Sequence, residues 1–135
     1  MRNKLLLTVL LTAFIVLASN ITDNVSYAAA FDLTPTKTSS KWTNEVLKSG
    51  SNYENCFYVT PTYFSTTGSV SAISQNVNNP SIYSHTVTLS SGGANVARSA
   101  YYVNNAPANQ PYKMKLTFGS ASVGSKINVK GRYTP

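Results

Sequence analysis

The chain reads as all-β, a single antiparallel β-sandwich or open barrel of about six to eight strands preceded by a signal-peptide helix, and three observations predict it. Several short segments alternate apolar and polar residues with period two. Ser, Thr and Asn supply more than a third of residues 31–135. Those side chains compete for helical backbone bonds, whereas Thr, Val, Tyr and Phe fit a pleated surface. Turn-rich stretches of Gly, Pro, Asn and Ser separate the alternating segments.

Taken in order, "FDLT" (31–34) and "WTNEVLK" (42–48) are expected as short strands, the second equally readable as one helical turn. "CFYVTPTYF" (56–64) sets Phe57, Val59 and Tyr63 on one face, with Pro61 marking an edge or a bulge. "SVSAI" (69–73) is a weaker strand between the turns "STTG" and "QNVNNPS". "YSHTVTL" (83–89) groups Tyr83, Val87 and Leu89, and "SSGGAN" then turns the chain toward "VARSAYYV" (96–103). "NNAPANQP" (104–111) is irregular.

The last two segments alternate most cleanly. Met114, Leu116 and Phe118 oppose Lys113, Lys115 and Thr117, and Ile127, Val129 and Tyr133 oppose Lys126, Asn128, Lys130 and Arg132. Joined by the flexible "GSASVGS", they predict an antiparallel hairpin with one apolar face and one basic face. On that pairing Lys113, Lys115, Lys126, Lys130 and Arg132 share a single surface, a candidate polyanion site.

Residues 1–30 have the order of a secretory signal peptide: Arg2 and Lys4, an apolar run from Leu5 to Ala18, then small residues at Ala28 and Ala30. The run is shorter than the ~20 residues that span a bilayer. Cleavage is expected after Ala30, with Ala28 as the alternative, leaving residues 31–135 as one secreted, extracellular β domain. Cys56 is the only cysteine, so no internal disulfide forms and stability rests on packing. A cysteine-poor exported chain fits Gram-positive secretion.

Residues 31–135 carry nine cations and three acids, a net charge of +6. The expected partner is an anionic cell-wall polymer or a membrane surface, with the protein partner left open. Nucleic acid is not expected, because export separates the protein from its genome and no aromatics interleave the cations on that face. No cofactor is expected either. One His and one Cys cannot close a tetrahedral metal site, and phosphate, dinucleotide and calcium motifs are missing from the sequence.

Catalysis has few residues to draw on. Cys56 and His85 are the only thiol and imidazole, and Asp32, Glu45 and Glu54 the only carboxylates after the leader. Cys56 opens an aromatic strand and reads as buried; His85 sits among threonines and reads as solvated. The function expected is therefore a non-catalytic module at the cell envelope. A bacteriocin-like, membrane-disturbing protein is one alternative. A glycan-binding module is the other, for which Trp42, Tyr58, Tyr63, Tyr101, Tyr102, Tyr112 and Tyr133 supply ring faces. Of the neighbours Tyr101 and Tyr102, one must face outward.

Three segments, "FDLTPTKTSSKWTNE", "YVTPTYFSTTGSVS" and the terminal "VKGRYTP", resemble short secreted proteins of Gram-positive, Bacillus-like bacteria that carry a domain of unknown function. The resemblance implies a secreted β protein and brings no active-site residues with it. "NYENC", with Cys56, and the loop at 104–110 have no counterpart in the resemblance.

Overall fold

The computed structural model describes residues 28–50 and 54–135. The expected leader lies outside them except for its last three residues. Among the described residues there are nine strands and one 3-10 turn: β1 (Ala29–Leu33), β2 (Lys41–Trp42), β3 (Val46–Leu47), β4 (Cys56–Phe64), β5 (Gly68–Asn76), β6 (Val87–Ser90), β7 (Arg98–Tyr101), β8 (Pro111–Ala121) and β9 (Val129–Thr134). They form two antiparallel sheets. The first runs β1-β9-β4-β7; the second runs β2-β8-β5-β6, with β3 also on β8.

The class predicted from alternation is the one observed, but the terminal hairpin is not. β8 pairs with β2, β3 and β5, while β9 lies between β1 and β4 in the other sheet. Period-two alternation dictates which side chains point inward, and here Tyr112, Met114 and Leu116 of β8 and Ile127, Val129 and Tyr133 around β9 are all fully buried. They contribute to one core from opposite sheets, so "GSASVGS" is an arch between sheets and not a hairpin turn. "SSGGAN" does the same between β6 and β7.

Pro61 falls where β7 has already ended, since β7 pairs only with Cys56 to Val59. Its missing N–H therefore leaves no ladder bond unmade on that side. The register against β9 shifts between Pro61 and Tyr63, a bulge that leaves Pro61 buried and turns Tyr63 outward, contrary to the face expected for it. The "WTNEVLK" segment is extended, broken into β2 and β3 by a buried Thr43. Its hydroxyl accepts the Met114 N–H at 2.9 Å, standing in for a backbone carbonyl in the ladder with β8.

Two contacts cross the core or close a corner. Ser74 of β5 meets the hydroxyls of Tyr102 and Tyr133. Ser84 forms an isolated bridge with Tyr102, which joins the sheets near β6 and β7. On β1, Ala29 and Ala30 pair with Tyr133 and Arg132. Cleavage after Ala28 would keep all five rungs, whereas cleavage after Ala30 would delete two.

Candidate binding faces

Because β8 and β9 lie in opposite sheets, the five cations expected on one surface divide. Lys113 and Lys115 project from the outer face of the second sheet, and Lys130 and Arg132 from the outer face of the first. Lys126 sits in the arch between them, bridged to Thr36. A single five-cation patch does not exist.

Each face is built the same way. On the second sheet Trp42 is the register partner of Lys115, whose Nζ lies 5.6 Å from the centroid of the indole ring. Lys113 follows two residues along the same strand and forms an ion pair with Glu45 at 3.5 Å. On the first sheet Tyr63 is the register partner of Lys130, whose Nζ lies 5.7 Å from the ring centroid. Arg132 follows two residues along. An aromatic ring directly across from a lysine presents a flat apolar surface beside a positive charge.

The two faces differ in their surroundings. Lys130 is 3.2 Å from Asp32. The Asn128 amide, followed by Lys130, holds the Asp32 carboxyl below its ordinary range. A shallow concavity of about 450 Å³ runs past Asp32, Thr62, Lys130 and Arg132. On the second sheet a groove of about 260 Å³ is lined by Trp42, Lys113, Gln75, Asn76, Val77 and Pro80. Its far wall is pinned. Asn76, almost fully buried, accepts the N–H groups of Asn78 and Asn79 at 2.8 Å each, and the Gln75 amide donates to the Pro80 carbonyl at 2.9 Å. Tyr83, bridged to Gln75 and exposed, extends the same outer face.

Of the rings considered for glycan binding, Tyr102, Tyr112 and Tyr133 are core. Trp42, Tyr58, Tyr63 and Tyr101 are exposed, and Tyr101 is the outward member of its pair at 70%. Aromatics do accompany the cations, across the strands instead of along them, which removes one ground on which nucleic acid was set aside. Tyr63 and Gln75 had no signal in the sequence as companions of the lysines. Trp42 and Tyr63 stood in the sequence only as candidate sugar-binding rings, unconnected to the lysines.

Cys56 is buried and its thiol donates to the Glu54 carboxylate at 3.7 Å; the Tyr58 hydroxyl donates to the same carboxylate. His85 is exposed, and its backbone N–H donates to the Tyr101 carbonyl, while Tyr101 pairs with Cys56. Tyr101 therefore stands between Cys56 and His85, which are two strand spacings apart, roughly 10 Å. Glu45 and Glu54 belong to different sheet margins. Among the described residues no cluster of three His, Cys, Asp or Glu side chains forms a metal site.

No family model, no curated protein and no solved structure matches the chain. The family resemblance thus rests on the three quoted segments.

Proposed function

We propose that this is an exported, non-catalytic module that holds an anionic cell-wall polymer on the outer face of its second sheet. The observation that carries the reading is the Trp42–Lys115 register pair, with Lys113 two residues along and a pinned groove beside them. An exposed indole stacks on the apolar face of a sugar or polyol, and the two ammonium groups meet the phosphates or carboxylates that such a polymer carries. Gln75, held by Pro80, offers a fixed amide for hydroxyl groups. The net charge of +6 on residues 31–135 raises the local concentration of any polyanion.

The test is co-sedimentation of the purified protein with bacterial cell walls, intact or stripped of their anionic polymers, across a salt series. Retention that requires the polymers and falls as the Debye length shrinks from about 10 Å at 0.1 M to about 3 Å at 1 M is the expected result. Equal retention on stripped walls overturns the reading. So does competition by single-stranded DNA as effective as competition by the polymer at matched charge and salt.

A further inference from the structure

We infer that the first sheet carries a second polymer site, centred on Tyr63, Lys130 and Arg132, and that the protein bridges two polymer chains. The inference rests on the polymer-binding reading above. It comes from a repetition in the fold. Each outer face has an aromatic residue as direct register partner of a lysine, Trp42 with Lys115 and Tyr63 with Lys130. In each the ring lies within 6 Å of the ammonium, at 5.6 and 5.7 Å. In each a second cation projects from the same strand two residues away, about 7 Å along it.

The repetition depends on a local distortion. Without the bulge between Pro61 and Tyr63, strict alternation would place Tyr63 on the side of Val59 and Pro61, inside the core. With it, the phenol is 47% exposed and opposite Lys130. A bulge that re-aims one side chain toward a cation is what a binding face requires and what a core does not.

Asp32 does not disqualify the site. Its ion pair with Lys130 is exposed on both sides, at 51% and 58%, and an exposed pair of this kind exchanges partners at little cost. Arg132 adds a planar guanidinium suited to bidentate contact with phosphate. The two outer faces point in opposite directions from sheets packed ~10 Å apart, so an extended chain lying on one face leaves the other free for a second chain. Bivalency of this kind raises retention on a dense polymer layer without any new contact.

The experiment mixes the full exported protein with a soluble, purified phosphate-bearing wall polymer at low salt. Light scattering is followed against the protein-to-polymer ratio, and binding is read separately by titration calorimetry. Bridging gives a scattering maximum at an intermediate ratio that collapses when either reagent is in excess. Two double variants separate the faces: Lys113→Gln with Lys115→Gln, and Lys130→Gln with Arg132→Gln, each checked for folding by its near-ultraviolet circular dichroism. Each is expected to keep measurable binding while losing the scattering maximum by roughly tenfold or more. Wild type that does not bind at all overturns the polymer-binding reading itself. Wild type that binds without a scattering maximum, or a Lys130→Gln, Arg132→Gln variant that is folded and scatters like wild type, overturns the bridging alone.

Discussion

The hydroxyl of Ser74, on β5, lies 2.5 Å from that of Tyr133, on β9, so a polar contact crosses the core from one sheet to the other. Tyr102 joins it at 2.6 Å, and all three side chains are buried. Ser74→Ala removes the shared partner and leaves two phenols to satisfy each other. The expected loss is about 1–3 kcal/mol of unfolding free energy, read from urea denaturation. An unchanged midpoint would mean that the two phenols pair as well without the serine.

The same tyrosines set the alkaline limit of the fold. Burial is the main cause that raises the hydroxyls of Tyr102, Tyr112 and Tyr133 above their ordinary pKa of 10.0. Below pH 10 both folded and unfolded chains keep these protons, and stability is unaffected by them. Above it the unfolded chain loses protons that the folded chain retains, so stability falls with rising pH, by up to about 1.4 kcal/mol per pH unit for each tyrosine. Urea midpoints that stay constant from pH 9 to 11 would contradict this. Tyr133→Phe should make the decline shallower by about one proton's share.

At Gly131, β9 leaves no room for a side chain. A Cβ there would meet the Thr60 carbonyl oxygen at 2.4 Å and the Phe31 ring at 2.8 Å. The first obstacle is backbone and cannot rotate away. Gly131→Ala should cost about 2 kcal/mol or more by overpacking, seen as a lowered Tm, and should loosen β1 first because Phe31 is the residue that can move. Hydrogen exchange of the Phe31 and Leu33 amides is the local readout.

These positions also show what the sequence could carry. Alternation placed Met114 and Leu116 inside and Lys113 and Lys115 outside correctly, because facing is a local property of an extended strand. Which sheet receives β9 is not local, and "GSASVGS" suits an arch as well as a hairpin. Pro61 announced a disruption without saying that Tyr63 would be the residue turned outward. "SVSAI" looked weak, yet β5 runs from Gly68 to Asn76 with Ser74 and Asn76 inward. Their burial is tolerated only because partners elsewhere in the chain satisfy them, and a hydrophobic pattern cannot register such partners. The binding faces were half legible: the cations were visible, but the rings beside them depend on register.

Trp42 is 42% exposed, with Lys115 over its ring and the groove of Gln75, Pro80 and Lys113 beside it. Trp42→Ala should therefore cost about 1–2 kcal/mol of stability, from the covered part of the ring and the lost cation–π contact. On the polymer-binding reading it should weaken affinity for wall polymer by at least about fivefold, near 1 kcal/mol, with Trp42→Phe intermediate. Titration calorimetry at fixed salt separates the two outcomes; an alanine variant that binds like wild type would remove the indole from the site.

Lys48 gives the last prediction. Its side chain is fully buried, its Nζ donates to the Pro135 carbonyl at 3.2 Å, and it lies 5.7 Å from the Tyr102 ring centroid. Loss of hydration pulls its pKa below 10.5, against the opposing pull of Cys56 and Glu54. A lysine depressed in the folded state binds its proton less tightly there than in the unfolded chain. The cost of the buried charge is thus fully present at low pH, is relieved as pH rises through the folded pKa, and is gone above 10.5. Lys48→Met has no such proton. As pH rises through the lowered folded pKa toward 10.5 the stability of wild type should therefore climb relative to the variant, by at most about 1.4 kcal/mol per pH unit. Both proteins carry the same tyrosines, so the difference between them isolates the lysine. A difference that stays flat, measured by urea unfolding at each pH, would mean that Glu54 and the Pro135 carbonyl compensate the buried ammonium in full.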